Sequence, residues 1–407
     1  MDLANSEFDV LVVGGGIQGA GVAQAAAAAG YSVLIIEEKE IASGTSSRSS
    51  KLIHGGLRYL ETAQFSLVRE CLLERRYLLK NAPDLVKLKP FYIPVYRHTT
   101  RRSWQIRIGL FLYGLLTGFD PSARFRTVPK KEWNGLDGLQ TEGLQAVFQY
   151  WDAQTDDALL TKAVIQSARN LGASLLMPAR FESAEPLSGE GNGVNWLVKV
   201  YHHDAKKEFV AKAIVNAAGP WVNQILSTIS PAPKKMDIEL VKGTHIIIEK
   251  PPTRGIYYVE AHQDRRAVFV MPWYDKTMIG TTEQVYTGDP RTVSPSEEEK
   301  AYLLDVYNQY FASDPISDKD VIDSFAGLRV LPTGAGSAFS RPRDTVLKTG
   351  GDGLPFLLTL YGGKLTSYRA TAARVLGQIN TRISMSGNSK NKVNTQNISL
   401  PKSSASV

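Results

Sequence analysis

The stretch that most constrains this 407-residue chain is Gly14-Gly15-Gly16-Ile17-Gln18-Gly19. An apolar run at residues 8–13 precedes it, and an alanine-rich segment, residues 20–29, follows it. The run reads as a buried parallel strand. The segment reads as a helix, because alanine carries the lowest helical cost. Gly30 suits a left-handed stop at its end. A second strand over residues 33–36 ends at Glu37, near the interval of about twenty residues that a dinucleotide-binding fingerprint requires. In that motif Gly14, Gly16 and Gly19 permit the tight turn, the close backbone approach to a pyrophosphate and the tight helix–strand packing. The helix N-terminus offers free N–H groups to the phosphates, and Glu37 can accept from ribose hydroxyls. An α/β fold binding FAD or NAD follows.

Two distant segments favour the longer cofactor. A strand ending in Asn216-Ala217-Ala218-Gly219 lets the backbone pass close to a ligand. A strand over residues 356–360 leads through Tyr361-Gly362-Gly363-Lys364 into a helix, whose N-terminus would stabilise negative charge on a reduced ring. Three strand ends spread over the whole chain fit one extended FAD better than a local NAD.

Composition narrows the remainder. Hydrophobic residues make up 43% and charged residues 21%, enough apolar material for a core and too much for a disordered chain. One cysteine excludes an intramolecular disulfide and a Cys-rich zinc site, and no metal is expected. The net charge of +7 suits a phosphorylated substrate or an anionic membrane surface, and is no nucleic-acid signature. The N-terminus lacks the basic region of a signal peptide, so a cytoplasmic protein is expected. The apolar residues 108–116 are too few to span a bilayer. With Arg101, Arg102, Trp104 and Arg107 before them, they read either as a peripheral membrane contact on the inner face of the membrane or as a core element with a basic edge. Helices are expected over residues 63–82, 155–172 and 297–310. Residues 381–407, rich in Ser, Asn and Lys, are expected to be a disordered tail.

Several longer stretches resemble the FAD-dependent glycerol-3-phosphate dehydrogenases. They are TSSRSSKLIHGGLRYLE at residues 45–61, VNAAGPWV at 215–222, VKGTHIII at 241–248, VFVMPW at 268–273, IGTTE at 279–283 and YGGKLTSYR at 361–369. The resemblance covers about residues 7 to 380 in the family's order. It implies a Rossmann-like, glutathione-reductase-type FAD-binding domain with an interleaved antiparallel-sheet substrate domain. The FAD domain would take residues 1–80, 150–225 and 325–380, and the substrate domain 81–149 and 226–324. The implied reaction converts sn-glycerol 3-phosphate to dihydroxyacetone phosphate, with electrons passing to a quinone or, in the oxidase branch, to oxygen. The chain departs from the family at Gly327-Leu328-Arg329-Val330-Leu331, where a proline after the arginine is replaced, and it stops near where a further helical domain is expected. An FAD oxidase of an amine or another hydroxy acid, or a noncatalytic flavoprotein, stays open beside this reading. So does the oligomeric state.

The resemblance also implies roles. His245 is the first candidate for the base that takes the hydroxyl proton, since an imidazole titrates near neutral pH; His54 is the second. Arg329 would orient the reacting oxygen. Arg58, Tyr59, Arg343 and Lys364 would hold the phosphate, for which guanidinium forks are well suited. Thr45, Ser46, Ser47, Ser49, Lys51 and Leu52 would line the cofactor, together with Ala218, Gly219, Trp221, Gly362, Gly363, Leu365 and Thr366.

Overall fold

The structure is a computed structural model describing residues 6–118, 120–187, 195–203, 205–251, 253–311, 315–334, 344–351, 354–386 and 393–402. Two sheets organise it. The first is built on parallel strands in the order Phe356–Tyr361, Ala205–Asn216, Glu7–Val13, Val33–Ile36, Ser174–Leu176. Strand Val346–Thr349 closes one edge antiparallel. The meander Ala179–Leu187, Asn195–His202 runs antiparallel into Ala205–Asn216.

Strand Glu7–Val13 is apolar on both sides because both sides are covered. Val10 and Val12 face the helices Ile17–Ala29, Asp157–Asn170 and Tyr368–Asn380, while Leu11 and Val13 face a core with Trp196 and Phe209. Helix Ile17–Ala29 ends at Gly30 in the left-handed conformation, φ 98°, as the sequence predicts.

The second sheet is mainly antiparallel. Ile238–Ile248 pairs with Lys276–Gly280 and Val321–Pro332, and Leu144–Thr155 pairs with Val86–Tyr96. Helix Glu297–Tyr310 covers one face through Leu303, Val306 and Tyr310. Helices Phe65–Asn81 and Ser103–Leu116 cover the other through Val68, Leu72, Ile106, Leu110 and Tyr113. The long strands Val86–Tyr96 and Val321–Pro332 have no counterpart in the sequence reading. Pro90 and Pro94 within the first argue against a strand, and it tolerates them beside a short parallel pairing at Phe91 and Tyr92.

One expectation is narrowed and another changes. Residues 108–116 belong to helix Ser103–Leu116, whose outer face exposes Trp104 (64%), Ile108, Phe111 (51%) and Leu115. The disordered tail does not hold for residues 393–402. The Val393 N–H donates to Ala28 O, the Leu400 N–H donates to Asn81 O, and the Asn81 amide donates to Gln396 O. Hydrogen bonds to two helices, with Leu400 packed against the core around helix Ile17–Ala29, hold this segment in place.

Candidate functional site

A cavity runs between the two sheets, bounded by the three strand ends that the sequence singles out. At one end Gly14 has φ 109°, and a Cβ there would lie 2.7 Å from Ala217 O. A Cβ at Gly19 would meet Gly14 O at 2.0 Å, so this glycine serves the helix–strand packing. The Glu37 carboxylate accepts from the Gly15 N–H at 2.6 Å and the Lys39 N–H at 2.9 Å, and burial pushes its pKa up. Gly363, at φ 132°, passes so close to Gln18 that a Cβ would lie 2.7 Å from its amide carbon. The Gln18 amide donates to Lys364 O at 3.1 Å, tying the first glycine turn to the last.

The loop after residue 43 divides its roles. The Ser46 hydroxyl accepts from the Ile17 N–H at 2.9 Å and caps the distant first helix. The Thr45 hydroxyl donates to Leu328 O, and the Thr366 hydroxyl accepts from the His54 N–H. Thr45, Ser46, Ser49, Leu52, Leu365 and Thr366 line the cavity, as do Glu37, Ala218, Gly219 and Trp221. Ser47 and Lys51 do not. The Ser47 hydroxyl bonds back to Gly44 O, and the buried Lys51 ammonium turns away to Asp157 at 2.6 Å and to Ser47 O. An ammonium taken out of water needs a carboxylate, and Asp157 is the nearer one.

The second sheet brings His245 and Arg329 to the cavity through its register. On strand Ile238–Ile248, Gly243, His245 and Ile247 share one face. Val321–Pro332 sets Phe325 opposite His245, Gly327 opposite Gly243 and Arg329 opposite Val241. The His245 ring stacks on Phe325 at 4.9 Å and lies over Gly280, where a Cβ would meet the ring carbon at 2.0 Å. Ser50 Oγ is 3.0 Å from His245 Nε2. With 1% of its surface exposed, His245 is held neutral. Burial first, then the cations Arg329 and Lys51, lower its pKa well below the ordinary imidazole value.

Opposite this ladder the Tyr59 ring packs under Lys364 Nζ at 4.7 Å and beside the Arg58 guanidinium at 5.2 Å. Lys364 Nζ stands 3.6 Å from Asp344, and Arg329 Nη1 stands 3.8 Å from Glu283. Arg58 is half-buried at the edge of this group, and Arg343 lies outside the described residues.

Among the described residues, five buried polar atoms along the cavity lack a hydrogen-bond partner: Gln18 Oε1, Trp221 Nε1, His245 Nδ1, Arg329 Nη1 and Lys364 Nζ. Buried polar groups are normally satisfied, so such a cluster marks a ligand site. The cavity that passes the Gly14 and Gly363 turns suits a flat extended group, and the orphan polar atoms suit its phosphates, its carbonyl edge and an anionic substrate. The residues therefore fit FAD. The sequence reading missed Gln18 and Ser50. Both act through position in the fold, and neither residue type carries a signal by itself.

Cradle, cations and neutral imidazole define a dinucleotide-dependent oxidoreductase. The family model described as FAD dependent oxidoreductase matches residues 9–369. A glycerol-3-phosphate dehydrogenase of Pseudomonas aeruginosa is 41% identical over 377 residues, covering 91% of this chain and 71% of the relative. A D-erythritol 1-phosphate dehydrogenase of Brucella abortus is 38% identical over 373 residues, covering 90% of this chain and 72% of the relative. A solved structure, the glycerol-3-phosphate dehydrogenase of Bacillus halodurans complexed with FAD, superposes with TM-score 0.76 at 27% identity, covering 98% of this chain and 68% of that one. This chain belongs to the FAD-dependent glycerol-3-phosphate dehydrogenase family.

Proposed function

We propose that the chain oxidises the secondary hydroxyl of sn-glycerol 3-phosphate to the ketone of dihydroxyacetone phosphate. The observation that carries this reading is the meeting, in one cavity, of two cations whose Arg329 Nη1 and Lys364 Nζ atoms make no hydrogen bond, with a neutral buried imidazole. When bound, FAD supplies the two-electron acceptor. The turns at Gly14, Gly16, Ala218, Gly219, Gly362 and Gly363, with Glu37, Ser46, Trp221 and Thr366, would hold it. Lys364, Tyr59 and Arg58 bind the phosphate, and Arg329 orients the reacting oxygen. His245 takes the hydroxyl proton, with Ser50 fixing the ring. Arg329 and Lys51 disfavour the resulting imidazolium, so the proton does not stay there. His54 lines the cavity beside Tyr59 and supports the phosphate end through its backbone.

The finer location also belongs to this reading. Among the described residues no helix is long and apolar enough to cross a membrane. The exposed stripe Trp104, Ile108, Phe111, Leu115, with Arg102, Arg107 and Arg126 around it, fits the surface of an anionic bilayer. A membrane quinone as electron acceptor fits a protein held there.

The Brucella relative supports a second reading, a four-carbon polyol phosphate. Anaerobic flavin bleaching separates these readings. Bleaching by glycerol 3-phosphate is expected. Bleaching only by erythritol phosphate would move the substrate up one carbon. Bleaching only by an amine or a non-phosphorylated hydroxy acid would overturn the phosphate assignment.

A further inference from the structure

A buried polar group lies behind the substrate wall, outside the cavity. Tyr113, Asp152 and Arg75 are 0%, 1% and 1% exposed. They come from helix Ser103–Leu116, strand Leu144–Thr155 and helix Phe65–Asn81. Arg75 Nη1 donates to Asp152 Oδ1 at 2.7 Å and to Trp151 O at 3.0 Å, and Arg75 Nη2 donates to Ser122 Oγ at 3.3 Å. The Tyr113 hydroxyl donates to Asp152 Oδ2 at 2.6 Å. A phenol has one proton to give, so towards its other neighbour it can only accept. That neighbour is the Gly55 N–H, at 2.8 Å.

The contact reaches the site in short steps. Gly55 is pressed against the phenol: a Cβ there would lie 2.5 Å from Tyr113 Oη and 2.6 Å from Leu72. Next to it Gly56 adopts φ 76°, and the Tyr59 ring folds over it so closely that a Cβ would meet that ring at 2.3 Å. The same ring carries Lys364 Nζ at 4.7 Å. On the other flank the turn is pinned where the His54 N–H meets Thr366.

We propose that the Tyr113–Asp152–Arg75 group is a positioning device that sets the His54–Gly55–Gly56 turn, and so the Tyr59 ring and the Lys364 ammonium, for the phosphate of the substrate. The inference rests on the substrate reading above. None of the three residues touches substrate. They act through the backbone, and a charged carboxylate fixed by Arg75 keeps the phenol pointing one way. A buried N–H that loses its acceptor shifts until it finds another, and the turn shifts with it.

The test uses the flavin-loaded protein. Tyr113→Phe removes one oxygen. Its KM for glycerol 3-phosphate should rise about tenfold, while the limiting rate of flavin reduction stays within about twofold. Tyr310→Phe is the matched control. Tyr310 is equally buried, and its hydroxyl donates to Glu260 O at 2.7 Å, away from the cavity. This control should lower Tm comparably and leave KM alone. A wild-type KM in Tyr113→Phe, with the same loss of Tm as the control, would overturn the proposal. Should Tyr113→Phe fail to accumulate, Ser122→Ala loosens Arg75 from outside; a rise in KM of about threefold is then expected, and an unchanged KM overturns the proposal. Wild-type protein runs alongside. If glycerol 3-phosphate does not reduce it, the substrate reading has failed. The comparison is then made on the Kd for inorganic phosphate, read from the flavin spectrum, where Tyr113→Phe should again bind about tenfold more weakly and equal binding overturns the proposal.

Discussion

Replacing His245 by asparagine puts the proton-transfer assignment at risk in one measurement. The imidazole is 1% exposed, stacked at 4.9 Å on Phe325, and seated on Gly280, so no bulk water stands ready to replace it as base. Losing a positioned base slows proton transfer by roughly 10²–10⁴-fold, about 3–5 kcal/mol in the barrier. The pH profile carries a sharper signature. The base works when neutral, and burial with Arg329 and Lys51 lowers its pKa well below the ordinary value. The acid limb of flavin reduction should therefore lie below pH ~6.5, the usual imidazole position. In wild-type protein the rate should stay flat as pH falls from 8 to about that value. Stopped-flow reduction under anaerobic conditions, from pH 5 to 9, reads both quantities. A His245→Asn protein that keeps full flavin and reduces within about threefold of wild type across the range would refute the assignment.

Four further outcomes follow from the same geometry. Gly363→Ala forces a side chain into Gln18 at φ 132° and should cost most of the bound flavin, measured by absorbance per protein. Lys364→Met removes an ammonium that makes no hydrogen bond within the protein and should raise KM for glycerol 3-phosphate by roughly ten- to a thousandfold, with flavin content unchanged. Asp157→Leu strands the buried Lys51 ammonium and should cost about 3–5 kcal/mol in chemical unfolding, most of it recovered in Lys51→Met/Asp157→Leu. Phe111→Asp with Leu115→Asp should abolish sedimentation with vesicles containing anionic lipid, whereas the half-buried Leu112 and Leu116 are poor probes of that surface.

The fingerprint at Gly14–Gly19, the helix after it and the strand ending at Glu37 were legible because their signals are local. Alanine propensity, glycine conformation and an acidic residue at the right interval act over one turn or one strand. Within the second sheet, strand Val86–Tyr96 was not legible, since it contains two prolines that its pairing accommodates only in three dimensions. Lys51 and Ser47 looked like cofactor contacts by their place in the motif. Only the packing shows that the ammonium must turn to Asp157 once it is buried. Ser50 and Gln18 gave no signal at all: what matters is the strand or turn that each comes to lie against. The outer face of helix Ser103–Leu116 was half legible, because an apolar run with arginines before it fits both a surface and a core until its partners are known.

His245 and Arg329 stand on adjacent strands whose ladder runs unbroken from Ile238 to Ile247, and slipping that ladder by one residue would put the two side chains on opposite faces. The span between imidazole and guanidinium is thus as stiff as the woven backbone beneath it. Any adjustment to a longer or shorter polyol must come from the opposite bank, where a two-glycine bend and an aromatic ring carry the ammonium. Relatives that differ in carbon count should accordingly differ in residues 54–59 and in what buttresses them, and keep the ladder as it is.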